Sequence, residues 1–187
     1  MSTLFVNNLN TASGSTITIP TGKTLVGTDT ASIKAPGNIV QVVTRDFTDQ
    51  TAITSSGTTY TDVTNGNITI SPKYNNSKIL IIPNISCLIQ DSASTYIYFG
   101  VRCLRGSSTV LGPTLNTDSN GSYDYGVGYG NSGTRQFDTR ITDHRIDTPA
   151  TTSATTYKFQ VINYNSGRTT TVNYSGGSTI LAMEIAQ

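Results

Sequence analysis

The chain carries one histidine, His144, and one glutamate, Glu184. Acid–base chemistry near neutral pH draws on His first and on perturbed carboxylates second. These two residues and the aspartates around them are therefore the first places to look. Asp143 and Asp147 lie close to His144. Neighbouring side chains of an extended strand point to opposite faces, so Asp143 cannot orient His144 as a triad would require. An exposed strand histidine is the simpler reading. Glycoside hydrolysis needs two carboxylates flanking the scissile bond. With a single glutamate that pair would come from Asp118, Asp124, Asp138 and Asp143, and no spacing singles any of them out. No Cys or His pair stands at metal-ligand spacing, and no Asp-rich calcium loop is present. Gly126, Gly128 and Gly130 alternate, but they follow no apolar strand and open no helix, so they fail the context test for a phosphate cradle. No catalytic, cofactor-binding or metal-binding residue is assigned, and the chain is expected not to be an enzyme.

One stretch has the composition of a recognition surface. Residues 113–137 are rich in Gly, Ser, Asn and Tyr and are read as a long loop. Tyr offers rigid amphipathic area, while Gly and Ser offer adaptable hydrogen bonding. Tyr123, Asp124, Tyr125, Tyr129 and Arg135 are the candidate ligand-binding residues, with Arg140 as a further polar anchor, and a surface glycan or lipopolysaccharide is the ligand class. The bland alternative, tyrosines that cover the domain or pack on a neighbouring subunit, stands beside it.

The elements that must position these residues are strands. Hydrophobic residues make up 35% and charged residues 12% of the 187 residues, with Tyr outnumbering Phe ten to five. Thr and Tyr suit pleated, half-exposed surfaces, and strong helix formers are scarce. A formal net charge of +1 gives no general attraction to nucleic acid. No apolar run approaches the roughly 20 residues of a membrane span, and no secretory leader opens the chain, so synthesis in a cytoplasm is expected. Residues 1–37 have too little apolar surface for a core of their own and read as a docking arm or short shaft. Residues 38–187 read as an all-β antiparallel sandwich of the jelly-roll type.

The clearest strand is 78–90, whose odd positions Ile79, Ile81, Pro83, Ile85, Cys87 and Ile89 form one face. Pro83 suggests an edge or a bulge. Residues 96–105 alternate likewise, and a hairpin would set Cys87 opposite Phe99 and Cys103 opposite Pro83, too far apart for a disulfide. Strands 58–63 and 67–70 are joined at Asn65-Gly66, a strong turn dipeptide. The strand 178–186 is apolar on both faces. Leu181, Met183 and Ile185 share one; Ile180, Ala182 and Glu184 share the other and are the candidate subunit interface, because a second buried face of a sandwich strand must be covered from outside.

Several segments resemble virion structural proteins of marine tailed phages, including those of cyanobacteria. They are Tyr60-Thr61-Asp62-Val63, Ser71-Pro72 leading to Ser77-Lys78-Ile79-Leu80, Val101 through Gly106, Ile146 through Lys158, and Ser178 through Ile185. The resemblance covers 39–187. It implies a tail-fibre, fibre-tip or head-decoration component of the virion with a trimeric jelly roll similar to the C1q and TNF type. Its partners would be copies of itself and, through the N-terminal arm, other virion proteins. A host-surface carbohydrate-binding module is the second reading, and a polysaccharide depolymerase the third.

Overall fold

Alternating sequence becomes alternating burial along residues 78–85 and 178–185, and continuous burial along 85–89 and 159–163. In the computed structural model, which describes residues 19–27, 34–54, 59–91, 97–111, 123–127, 135–163 and 168–187, twelve strands and no helix occur among the described residues. They are β1 (Ile39–Phe47), β2 (Thr51–Ile53), β3 (Thr61–Ile70), β4 (Lys78–Asp91), β5 (Ile97–Arg105), β6 (Thr109–Leu111), β7 (Tyr123–Val127), β8 (Arg135–Thr142), β9 (Arg145–Asp147), β10 (Thr155–Asn163), β11 (Arg168–Val172) and β12 (Ser178–Ile185). The chain divides into two units, Met1–Ile33 and Lys34–Gln187. In the first, the described residues 19–27 are exposed around a turn closed by Lys23 N–H donating to Pro20 O. All twelve strands belong to the second.

The strands form two antiparallel sheets. One runs β1-β12-β4-β11-β2, with β8 and β9 along the other side of β4; the second runs β3-β10-β5-β6, with β7 also on β5. The pairings nest: β1 with β12, β3 with β10, β4 with β8 and β9, β5 with β6 and β7. First-with-last nesting split over two sheets is the jelly-roll arrangement. The core lies between the sheets, where Ile79, Ile81, Ile85, Ile89, Ile180 and Ala182 of one meet Ile68, Ile70, Val101, Tyr157, Phe159 and Val161 of the other.

Four local expectations are corrected. β3 is continuous through Asn65-Gly66, because the residues on both sides pair with the same partner, β10. The extra residues are absorbed as a bulge: Lys158 pairs with Asn67 and Gln160 with Asp62, so Phe159 spans Val63, Thr64, Asn65 and Gly66. Asn65 takes the positive φ of 57°. Gly66 is needed for closeness, since a Cβ there would lie 2.6 Å from Val63 Cγ1 and 2.7 Å from Val63 Cβ. A Gly66→Ala variant is expected to lose about 1–3 kcal/mol through overpacking, measured by urea denaturation. Combining it with Val63→Ala should cost less than the sum of the two single changes.

β4 and β5 are not a hairpin; they lie in different sheets. Cys87 and Cys103 are nonetheless both free and buried. Burial pushes each thiol up to about 12. An aromatic disulfide reagent at mildly alkaline pH is therefore expected to modify neither in the native protein and both after unfolding.

β4 is also not an edge. It is central, and Pro83 sits where the β4–β9 pairing (Ile79 to Ile81) gives way to the β4–β8 pairing (Asn84 to Asp91), so its missing N–H falls in a gap between partners. Finally, the stretch 113–137 is not one loop, for it contains all of β7 and the start of β8.

Candidate interaction face

The outer face of the seven-stranded sheet is organised in cross-strand rows that change from apolar to polar. Antiparallel partners share a face, so the register gives the rows directly. Ile39, Ile185 and Lys78 form the first; Val42, Met183, Leu80 and Ile146 the second; Thr44, Leu181 and Ile82 the third. Then come Asp46, Thr179, Asn84 and Thr142, and beyond them Ser86 beside Arg140. Ile39, Val42 and Ile146 are 58%, 50% and 59% exposed, and Leu80, Ile82, Leu181, Met183 and Ile185 are half-buried. The fourth row is tied by Thr179 Oγ1 donating to Asp46 Oδ1 at 2.7 Å.

This geometry corrects the interface assignment on β12. Ile180, Ala182 and Glu184 are fully buried in the subunit's own interior and present nothing to a partner. A strand apolar on both faces does not set its own phase, and glutamate is seldom fully buried unless it is paired. Glu184 instead enters a cradle of donors. Lys73 N–H donates to both carboxylate oxygens (2.8 and 2.9 Å), Tyr74 N–H and Ser77 Oγ–H to Oε1 (3.1 and 2.7 Å), and Gln41 Nε2 to Oε2 (2.6 Å). Burial alone would raise its pKa, but the donors from Lys73, Ser77, Gln41 and Tyr74 outweigh it and hold the carboxyl below its ordinary value. The outward face of β12 is the other one, continuous with Leu80 and Ile82, even positions of β4 whose apolar character was present in the sequence but not read as a surface.

The remaining candidates are scattered. Tyr123, Asp124 and Tyr125 lie in β7, paired with Val101, Gly100 and Phe99 of the five-stranded sheet, whereas Arg135 pairs with Asp91 in the seven-stranded one. Tyr129 lies outside the described residues, as do Asp118, Gly128 and Gly130. His144 is exposed, and Asp143 serves structure: its carboxylate accepts from the His144 backbone N–H at 2.7 Å and pairs with the buried Arg145. Asp147, also buried, accepts both Arg105 Nη1 (2.9 and 3.0 Å) and the Tyr157 hydroxyl (2.8 Å). Burial and the Asp147 carboxylate together raise the Tyr157 phenol well above its ordinary value. Among the described residues, no three His, Cys, Asp or Glu side chains gather as metal ligands.

No protein-family model and no curated protein matches the chain. Solved structures resemble it loosely. The VP2 subviral particle of infectious bursal disease virus gives a TM-score of 0.37 at 13% identity, covering 87% of this chain and 42% of that one. The Gx strain structure of the same virus gives 0.36 at 13%, over 86% and 42%. The chain thus spans about two fifths of the length of these viral proteins. A likeness this loose carries no functional weight.

Proposed function

We propose that this protein is a structural subunit of a virus particle, of the tailed-phage kind its sequence resembles, whose work is burial and self-association rather than catalysis. The observation that carries the proposal is the apolar half of the outer sheet face. Soluble monomers rarely leave a contiguous apolar patch of several hundred Å² to water, and such patches mark association sites. Here Val42, Met183, Leu80, Ile146, Leu181 and Ile82 form one patch in a chain with few charges to keep copies apart. A closed ring of identical subunits covers such a face without creating a filament, and a threefold ring is the arrangement proposed. The jelly-roll nesting supports this reading, and tail fibre, fibre tip and head decoration are the positions it allows. The N-terminal unit is proposed to dock to other particle proteins.

Light scattering is the test. The purified protein is expected to weigh three times the chain, and a Leu80→Lys, Met183→Lys double variant is expected to weigh one chain while keeping its β-type circular dichroism. A wild-type monomer, or a variant that stays trimeric, would refute self-association through this face.

A further inference from the structure

The polar end of the same sheet face forms an open cleft of about 300 Å³ lined by Ser86, Asp138, Thr139, Arg140 and Ser175. We infer that this cleft binds a saccharide through adjacent hydroxyl groups. The inference stands on the cleft alone and is independent of self-association.

The lining selects the ligand class. It contains hydroxyls, one carboxylate and one guanidinium, with no large apolar side chain, so an apolar ligand would gain no burial there. Asp138 and Arg140 carry opposite charges, so neither a simple anion nor a simple cation meets a field of one sign. A hydroxyl donates and accepts at once. Two neighbouring hydroxyls therefore match a wall that offers an acceptor in Asp138 and donors in Arg140, two residues apart on one face of β8.

The groups are held in place before any ligand arrives. Ser175 Oγ–H donates to Asp138 Oδ1 at 3.0 Å, leaving Oδ2 with accepting capacity. Arg140 uses Nη1 for Asn84 Oδ1 and Gly177 O at 3.2 and 3.4 Å. Five N–H donors on a guanidinium exceed those two long bonds. The wall opposite is pinned by Asn173 N–H donating to Ser86 O at 2.8 Å and Ser86 N–H to Ser178 Oγ at 2.9 Å. Preorganised polar groups lower the cost of ordering on binding.

Gly176 borders the cleft. A Cβ there would stand in ordinary contact with Arg140 Nη2 at 3.5 Å and Ser86 Oγ at 3.9 Å, so a longer side chain would project between those two lining residues.

Saturation-transfer NMR with glucose, galactose, mannose and N-acetylglucosamine tests the inference on the full chain. Transfer to at least one sugar is expected. Asp138→Ala and Arg140→Ala should each weaken binding at least tenfold. Gly176→Leu, which removes no polar group and asks for no positive φ, should block it by filling the cleft. Unchanged circular dichroism and oligomer mass would show that the variants still fold and assemble. Absence of transfer to all four sugars, or transfer that survives Gly176→Leu and Arg140→Ala alike, overturns the inference.

Discussion

Replacing Glu184 with alanine is expected to destabilise the fold by about 3–5 kcal/mol, the largest effect of any single polar change. The carboxylate is completely buried and satisfies donors from two places: Gln41 on β1, and Lys73, Tyr74 and Ser77 in the turn before β4. Alanine would leave those donors facing an apolar void. Glu184→Gln keeps the shape and one accepting oxygen but turns an amide N–H₂ toward donors, so about 2–3 kcal/mol is expected.

The acid dependence separates charge from packing. The folded pKa lies below the ordinary 4.5, so the carboxylate's contribution is complete above 4.5 and is lost as pH falls from there through the folded pKa. Urea denaturation stepped downward from neutral pH should show the gap between wild type and Glu184→Gln shrinking in that acid window. A gap that stays constant would mean the cradle acts through shape alone.

Asp147→Ala is expected to cost about 2–4 kcal/mol. Asp147 stands on β9 in the seven-stranded sheet, yet its two partners, Arg105 on β5 and Tyr157 on β10, belong to the other sheet. The carboxylate is thus a clasp across the sandwich, and its loss leaves a buried phenol without an acceptor. Tyr157→Phe alone should cost less, because it removes donor and demand together. A double-mutant cycle between the two should give a coupling of about 1 kcal/mol or more. Additive effects would show that Asp147 acts through Arg105 alone.

Both carboxylates illustrate how much was legible in the sequence. The period-2 pattern located β4 and β12, because each buries one face fully and alternation is what burial selects. It could not set the phase of β12, since both faces are apolar and only Glu184 distinguishes them. The donors that let Glu184 turn inward sit on β1 and in the turn before β4, far away in the chain. Asn65-Gly66 carries turn chemistry, but the partner strand decides between turn and bulge, and β10 runs past both sides. The cleft was invisible for the same reason: Arg140 stood out as a polar anchor, but Ser86, Asp138 and Ser175 meet it only through the β4–β8 register and the β11–β12 connection. In the tyrosine-rich stretch, Gly and Ser obscure β7, a strand whose pairing is supplied by β5.

The nesting of first strand with last has a consequence for the protein's birth. Gln41 and Glu184 are 143 residues apart and yet bonded. At roughly 5–20 residues per second of synthesis, β1 and β4 wait on the order of ten seconds or more for the strand that lies between them. Until β12 leaves the ribosome, two sheet edges and the floor of the core stay open. A nascent chain cut short of β12 therefore lacks both a closed core and its outer apolar rows.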